Sequence, residues 1–530
     1  MTNIMNSWAI PSFEPRPIQT QALEWIEEKY PTTKYFFMQA PVGSGKSLIG
    51  TTAANWIADQ QDVPQASYIL TPQRILQKQY EDSFKKDMAS LYGKSNYECK
   101  TRNTTCDIGG ILKPPCSGCP YRSAKGRAIS SRHTVLNYYI ALLAFKYTPI
   151  FEKRPLIVLD ECHTAEEYLT EIDAATISSY RAKRLGVKWA QHNSLPDAVK
   201  WTNEQYLPKL YQELSELESE LGHLIDNEYA DPTNAELKKL RELNLLQEHS
   251  DTIREITLKN TATINERFVY VHDKETKKFK RLNGGYNFKG ILEPQADKFL
   301  FMSSTILNYQ GLCRDLSIDP NQSAYIDLAS EFKPEKRPVF FMPQTKMNAA
   351  WNKPENKAGR SRMLSKIEEL LEMHKNDSGI IHTGNFAIAR WLVEEIELSA
   401  PQKIFHHNPE SGDDRGKIID AFQNYKKPAV LISPSITEGL DLKDDLARFA
   451  IIAKVPFGFL GDQWIKRRMD LSKEWYQRRA LIDIIQGAGR VVRSADDWGN
   501  TYILDESFRY LFQQGHESVP QWWKDAYRVV

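Results

Sequence analysis

Residues 34–57, KYFFMQAPVGSGKSLIGTTAANWI, decide the fold. The apolar run at 35–38 predicts a buried strand, and the segment after the glycines carries helical patterning. Between them, Ala40-Pro-Val-Gly-Ser-Gly-Lys-Ser47 follows a phosphate-binding loop from its second glycine onward, with Ala40 in the first-glycine place. Gly43, Ser44 and Gly45 allow the backbone to wrap a phosphate with its N–H groups pointing inward. Lys46 is placed to reach the β- and γ-phosphates of a nucleotide, and Ser47 to ligate Mg²⁺. A glycine-rich turn with an exposed lysine is the bland alternative, and the strand–turn–helix context argues against it.

Downstream, residues 154–167 read RPLIVLDECHTAEE. A continuous apolar strand ends in Asp160-Glu161-Cys162-His163, at the carboxyl end where open parallel sheets hold their ligands. Asp160 would position Mg²⁺, Glu161 would polarise an attacking water, and His163 would couple the nucleotide site to the rest of the machine. Two acids beside a histidine commonly form a solvated loop. After a buried strand and downstream of a phosphate loop, they read as a hydrolytic site.

With 530 residues, the chain is expected to hold three or four units. Its 41% hydrophobic and 26% charged residues suit a soluble globular protein. The formal charge of +1 gives no global field for nucleic acid, so such binding would need local basic patches. No apolar run reaches the length of a membrane span. The opening MTNIMNSWAIPSFEPRP lacks the layout of a secretion signal, so a cytoplasmic or nucleoid-associated location is expected. In such a reducing compartment, clustered cysteines bind metal more often than they form disulfides.

Four of the six cysteines fall in residues 97–122, YECKTRNTTCDIGGILKPPCSGCPYR. Cys99, Cys106, Cys116 and Cys119 are spaced C-x6-C-x9-C-x2-C, amid prolines and glycines with no strand or helix period. Four thiolates suit a [4Fe–4S] cluster, and they suit tetrahedral Zn²⁺ equally well. The residues alone leave both open. A loop of this composition buries too little apolar surface to fold unaided, so a bound metal group would staple it. Cys162 and Cys313 read as small buried residues. Next come Tyr121, Arg122, Lys125, Arg127 and Arg132, an aromatic and basic run that suits either a strand-tracking surface or a solvated face.

The order of motifs resembles the superfamily 2 helicases, and specifically the XPD/DinG-type iron–sulfur helicases. Arg16-Pro17-Ile18-Gln19 resembles that family's nucleotide motif ahead of the phosphate loop, which makes Arg16 and Gln19 candidate nucleotide contacts. YILTPQRILQKQY at 68–80 resembles a strand-and-loop motif that touches single-stranded DNA, with Thr71 as the phosphate contact. FLFMSSTIL at 299–307 resembles the S-A-T motif coupling hydrolysis to movement, with Ser303 facing DNA and Ser304 in place of the usual alanine. SGIIHTGNFAIARWL resembles the opening strand of a second motor domain. SPSITEGLDLKDD resembles the motif in which Glu438, Gly439 and Asp441 face nucleotide and DNA. QGAGRVVRS supplies Gln486, Gly489, Arg490 and Arg493 in the pattern Q-x-x-G-R-x-x-R. Independently of the resemblance, two guanidiniums at spacing three share one helical face and could bridge phosphate oxygens across a cleft.

The resemblance implies an α/β fold of two RecA-like parallel-sheet motor domains, with a cysteine-rich Fe–S insertion and a mainly helical arch insertion in the first. The expected boundaries are 1–92, 134–169 and 291–307 for the first motor domain, 93–133 for the cysteine insertion, 170–290 for the arch and 308–530 for the second motor domain. In the arch, Leu214, Leu217, Leu221 and Leu224, and then Leu237, Leu240 and Leu243, predict two packed amphipathic helices. KETKKFKRLNGGYNFKG predicts a charged hairpin, facing nucleic acid or solvent. WIKRRMDLSKEWYQRR at 464–479 reads as a helix near a DNA groove or as a surface helix with core tryptophans. SVPQWW reads as a packed C-terminal element.

In function, the resemblance implies an ATP-dependent, Mg²⁺-dependent motor, expected to be monomeric, that acts on single-stranded and forked DNA and moves 5′→3′. Its [4Fe–4S] domain would be the wedge that parts the duplex. No nuclease-like domain is expected ahead of the motor, because Arg16 already lies in the nucleotide motif. The competing readings are an ATP-driven clamp with little unwinding and a motor directed at RNA or R-loops.

Overall fold

The computed structural model describes residues 3–84, 86–111, 118–225, 232–259, 261–396, 399–407, 414–434, 444–489, 492 and 497–530. Cys116, Glu438, Gly439, Asp441, Arg490 and Arg493 lie outside the described residues.

The strand expected at 35–38 is Tyr35–Gln39, buried along its whole length. Its side chains alternate between two cores. Tyr35 and Phe37 join Ile157, Leu159, Phe299 and Phe301 on one face, and Phe36 and Met38 join Val158, Leu300, Met302 and Trp56 on the other. Apolar residues on both sides mark a parallel strand sandwiched between helices. Phe37 and Phe301 stand opposite each other in the ladder, with ring centroids 4.5 Å apart.

Across this seven-stranded parallel sheet the order is Ser323–Asp327, Tyr35–Gln39, Ala296–Ser303, Arg154–Asp160, Ser67–Thr71, His133–Asn137 and Met88–Ser90. A second seven-stranded sheet runs Lys403–His406, Ala429–Ser433, Gly379–His382, Phe449–Ile452, Asn500–Asp505, Val339–Thr345 and Tyr527–Val529, again all parallel. Both expected motor domains are present, but the boundary at 307/308 is corrected. Ser323–Asp327 pairs in register with Tyr35–Gln39, so the first domain runs to residue 327. The cause is a buried glutamine inside an apolar strand. Gln39 Nε2 donates to Asp327 Oδ1 at 3.0 Å, while its Oε1 accepts the N–H groups of Ile306 and Leu307, each at 2.7 Å. Replacing Gln39 with leucine strands those two buried donors and is expected to cost about 3 kcal/mol. A lowered urea midpoint for the first domain would show it, and an unchanged midpoint would refute it.

The cysteine insertion begins with a short ribbon, Glu98–Cys99 paired with Thr104–Thr105, followed by the one-turn helix Cys106–Gly109. The next helix, Pro120–Ser130, buries Ala124 and Ala128 in the first motor core, so the insertion is smaller than 93–133.

The arch contains the two expected helices, Leu207–Ile225 and Asn234–Thr257, which pack Leu214, Leu221, Leu224, Leu237, Leu240 and Leu243 into one core. The second starts with a capping box: Thr233 Oγ1 accepts Glu236 N–H, and the Glu236 carboxylate accepts Thr233 N–H. The charged hairpin is Phe268–His272 with Thr276–Arg281, and it extends to Ala175–Ser178 as a three-stranded antiparallel sheet. It does not simply face solvent, because Lys277 and Arg281 are buried. The Lys277 ammonium lies 3.3 Å from the ring centroid of Trp189 and 4.0 Å from that of Trp201.

Candidate active site between the two motor domains

The phosphate loop follows Tyr35–Gln39 directly. Gly43 and Gly45 adopt φ of 80° and 79°, the left-handed region that a side chain disfavours. Helix Lys46–Gln61 then starts with its free N–H groups facing the loop. The Arg16 and Gln19 pair grips the loop from outside. Arg16 Nη2 donates to Gly43 O at 2.7 Å, Gln19 Nε2 donates to Ser44 O at 3.1 Å, and Gln19 Oε1 accepts Arg16 N–H at 3.0 Å. A Cβ at Gly45 would stand 2.3 Å from Gln19 Nε2, so this grip requires glycine there. Ser44 Oγ is buried without a partner among the described residues, an orphan that an oxyanion would satisfy.

Strand Arg154–Asp160 delivers Asp160 to the same spot. Its Oδ2 accepts the Tyr80 hydroxyl at 3.0 Å, and Ser47 contacts that same hydroxyl. Tyr80 thus gathers Ser47 and Asp160, two hard oxygen ligands that fit Mg²⁺. Burial first, and the Glu161 carboxylate second, push Asp160 up to about 6, while Lys46 and two hydrogen bonds pull the other way. A divalent cation would favour the ionised form outright.

Beyond Asp160 the chain turns through Glu161 at φ 48°. His163 Nδ1 lies 2.8 Å from Ser303 Oγ and 3.4 Å from Glu161 Oε2. From the second domain, Gln486 Nε2 reaches His163 Nε2 at 2.9 Å and Thr305 Oγ1 at 3.0 Å. With the amide hydrogen directed at Nε2, the imidazole keeps its proton on Nδ1, facing Ser303 and Glu161. Glu161, His163, the Ser303–Thr305 turn and Gln486 therefore form one network across the cleft. Leu307 adds a packing link: held at φ 60° by the two hydrogen bonds to Gln39, it inserts into the core of the second domain beside Ile484 and Ile485. Gln39, Tyr80 and Leu307 were given no role in the sequence, and Thr305 only as part of the S-A-T-like motif; of the other three, only the glutamine within an apolar strand gave a signal.

Two expected DNA contacts are placed elsewhere. Ser303 is fully buried in the hydrolytic network, and Thr71 is fully buried with its hydroxyl donating to Gln73 O. Neither presents a surface to a strand. Arg122 and Arg127 are exposed and Lys125 is half-buried on helix Pro120–Ser130. Burial, together with the charges of Lys94 and Arg122, lowers the Lys125 pKa, and none of the three has an acidic partner among the described residues. Arg132 instead pairs with Asp59 at 2.6 Å. The segment at 464–479 forms helices Gln463–Leu471 and Lys473–Ala488, which bury Trp464, Arg468, Trp475 and Arg478 between the domains rather than lining a groove.

Of the cysteines, Cys99, Cys106 and Cys119 are buried, and the sulfurs of Cys106 and Cys119 lie 4.0 Å apart. A Cβ on Gly109 would stand 2.6 Å from Cys99 Sγ, so a glycine gives that thiol its room. The donor set is soft and buried and fits a thiolate-bound metal group. Two sulfurs on one tetrahedral zinc would be about 3.8 Å apart, whereas a cubane holds each on its own iron. Among the described residues no three potential ligands converge.

Two parallel-sheet lobes, with the glycine-rich loop and His163 on one and Gln486 of the other reaching that histidine, have the layout of a two-domain nucleotide-dependent motor. Residues 12–187 match the family described as type III restriction enzyme, res subunit, and residues 367–526 match the helicase C-terminal domain family. The ATP-dependent DNA helicase YoaA of Haemophilus influenzae is 22% identical over 440 residues, covering 74% of this chain and 67% of that protein. The ATP-dependent DNA helicase CHL1 of Eremothecium gossypii is 24% identical over 161 residues, covering 26% of this chain and 20% of that one. A solved structure titled XPD_Helicase superposes over 98% of this chain and 100% of its own, with a TM-score of 0.64 at 15% identity, a likeness of fold. Together, the two family matches, the helicase relatives and the shared fold support an XPD/DinG-type superfamily 2 helicase. Its match covers about a fifth of the CHL1 protein. No helix among the described residues is long and apolar enough to cross a membrane.

Proposed function

We propose that the chain is an ATP-dependent DNA helicase that moves 5′→3′ along single-stranded DNA, with the cysteine insertion as the wedge that parts the duplex. The observation that carries this reading is the network from Glu161 through His163, Ser303 and Thr305 to Gln486. It makes the hydrolytic carboxylate sensitive to the position of the second domain.

In this reading, the loop N–H groups and Lys46 hold the ATP phosphates, and Arg16 and Gln19 keep the loop in shape. Glu161 orients the attacking water and accepts its proton. Mg²⁺ held by Ser47 and Asp160 would neutralise charge on the phosphate oxygens. Arg490 and Arg493 would sense the γ-phosphate, and Glu438, Gly439 and Asp441 would face nucleotide and DNA; all five lie outside the described residues. Loss of the γ-phosphate shifts the second domain, and Gln486 and Leu307 transmit that shift to the first. Lys94, just before the cysteine insertion, and Arg122 and Lys125, just after it, have no acidic partner among the described residues and suit a phosphate backbone. The cysteines would hold a [4Fe–4S] cluster that staples the insertion, with zinc as the alternative.

Cys116→Ser tests the wedge. Iron and sulfide should be lost and duplex separation abolished, while DNA-stimulated ATP hydrolysis persists. Equal duplex separation by the variant would refute the wedge, and stoichiometric zinc without sulfide would refute the cluster. Duplexes with 5′ or 3′ tails, in DNA and in RNA–DNA, test polarity and substrate. Separation of 3′-tailed substrates alone would overturn the proposed direction.

A further inference from the structure

The two motor domains meet a second time, away from the nucleotide cleft, through four charged side chains withdrawn from water. Glu166 and Asp315 come from the first domain, at 5% and 9% exposure, and Arg468 and Arg478 from the second, at 6% and 7%. Arg468 Nη2 lies 2.7 Å from both Glu166 Oε1 and Asp315 Oδ1, and Arg478 Nη2 pairs with Asp315 Oδ2. Arg478 Nη1 also donates to Asn308 O at 3.2 Å. A Cβ at Gly311 would stand 1.9 Å from that nitrogen, so the glycine makes room for the guanidinium. Trp475 Nε1 donates to Glu166 Oε2 at 3.0 Å, and its ring centroid lies 4.5 Å from the Arg468 guanidinium carbon. Burial and the Asp315 carboxylate raise the Glu166 pKa, and Arg468, Trp475 and Arg478 oppose the rise.

Two buried anions against two buried cations give little net stability, because desolvation offsets their attraction. Such a set supplies registration instead, since one relative placement of the domains satisfies all four charges at once. Its members are also rigidly continuous with the hydrolytic network. Helix Ala165–Glu171, which carries Glu166, begins two residues after His163. Helix Tyr309–Leu316, which carries Asp315, comes soon after the S-S-T turn. Arg478 and Gln486 share helix Lys473–Ala488, separated by eight residues or about 12 Å of helix.

We propose that Glu166, Asp315, Arg468 and Arg478 are positioning residues for ATP hydrolysis: they dock the helix Lys473–Ala488 on the first domain and thereby seat Gln486 on His163 and Thr305. The inference rests on the hydrolysis reading above and adds residues that touch neither nucleotide nor strand.

A double-mutant cycle on the full chain tests it, with Arg478→Met, Gln486→Ala and the pair, measuring ATP hydrolysis with single-stranded DNA present. Arg478→Met should lower kcat about 100-fold through misplacement of the sensor, with KM for ATP changed by no more than about twofold. In the Gln486→Ala background the same substitution should have no further effect. An equal loss in both backgrounds would show that the cluster acts independently of Gln486 and overturn the proposal. Should Arg478→Met fail to fold, Trp475→Phe keeps an aromatic ring and removes the hydrogen bond to Glu166, and the same cycle applies. Hydrogen exchange over 481–488 gives a readout that needs no activity. It should quicken in either variant, and unchanged exchange would overturn the docking role. A wild-type chain inactive toward ATP would sink the hydrolysis reading alone, and exchange would still decide whether the cluster seats the helix.

Discussion

Lys46→Ala is expected to lower DNA-stimulated ATP hydrolysis by about 10³-fold or more, a loss of about 4 kcal/mol of transition-state stabilisation. The ammonium stands at the first turn of helix Lys46–Gln61 and donates across the loop to Ala40 O at 3.3 Å, so it is held inside the phosphate loop. Alanine is a good helix former, and the strand, the two positive-φ glycines and the Arg16–Gln19 grip stay in place. The fold should therefore survive while the charge facing the phosphates is lost. A thermal midpoint near that of the wild type, alongside lost hydrolysis, is the expected pair of results. Hydrolysis untouched by the change would place the nucleotide elsewhere.

Glu161→Gln should have an effect of similar size by a different route. The amide keeps the shape of the side chain and can still accept from its neighbours, but it takes no proton from water. General-base loss is worth about 10²–10⁴-fold in rate. Binding of ATP should be preserved, because the substitution leaves Lys46 and the Arg16–Gln19 grip on the loop untouched. Tight nucleotide binding with stalled turnover, seen as retained nucleotide on filter binding, separates this variant from Lys46→Ala. Near-normal turnover would assign the base to another group.

Most of the frame was legible because its signals are local. A buried parallel strand running into glycines, lysine and serine announces itself within residues 34–57, and the Asp160 strand does the same over 154–163. The arch helices were legible through leucines at helical spacing, all within one element. The features that escaped notice join distant segments. Glu166 meets Arg468, and Asp315 meets Arg478, 163 residues on, so no window holds both partners. Residues 464–479 read as a helix near a DNA groove or as a surface helix with core tryptophans, because arginine and tryptophan serve a strand as readily as a buried interface; both tryptophans are core. The pairs Trp464 with Arg468 and Trp475 with Arg478 do share helical faces, which is how an interface mixing rings and guanidiniums would look. Thr71 and Ser303 were assigned to DNA by resemblance, and strand geometry then turned both inward. The first domain's edge strand, Ser323–Asp327, was missed because its five residues are only half-buried or exposed and show no clear alternation.

Duplex separation driven by hydrolysis is the decisive measurement. Purified full-length protein, mixed with a forked DNA duplex carrying a 5′ tail, is given ATP and Mg²⁺ or a non-hydrolysable ATP analogue. A helicase of this kind should release the strand with ATP, should not release it with the analogue, and should lose release altogether in Lys46→Ala. Release that proceeds equally with the analogue, or ATP turnover with the duplex left intact, would contradict a hydrolysis-driven helicase.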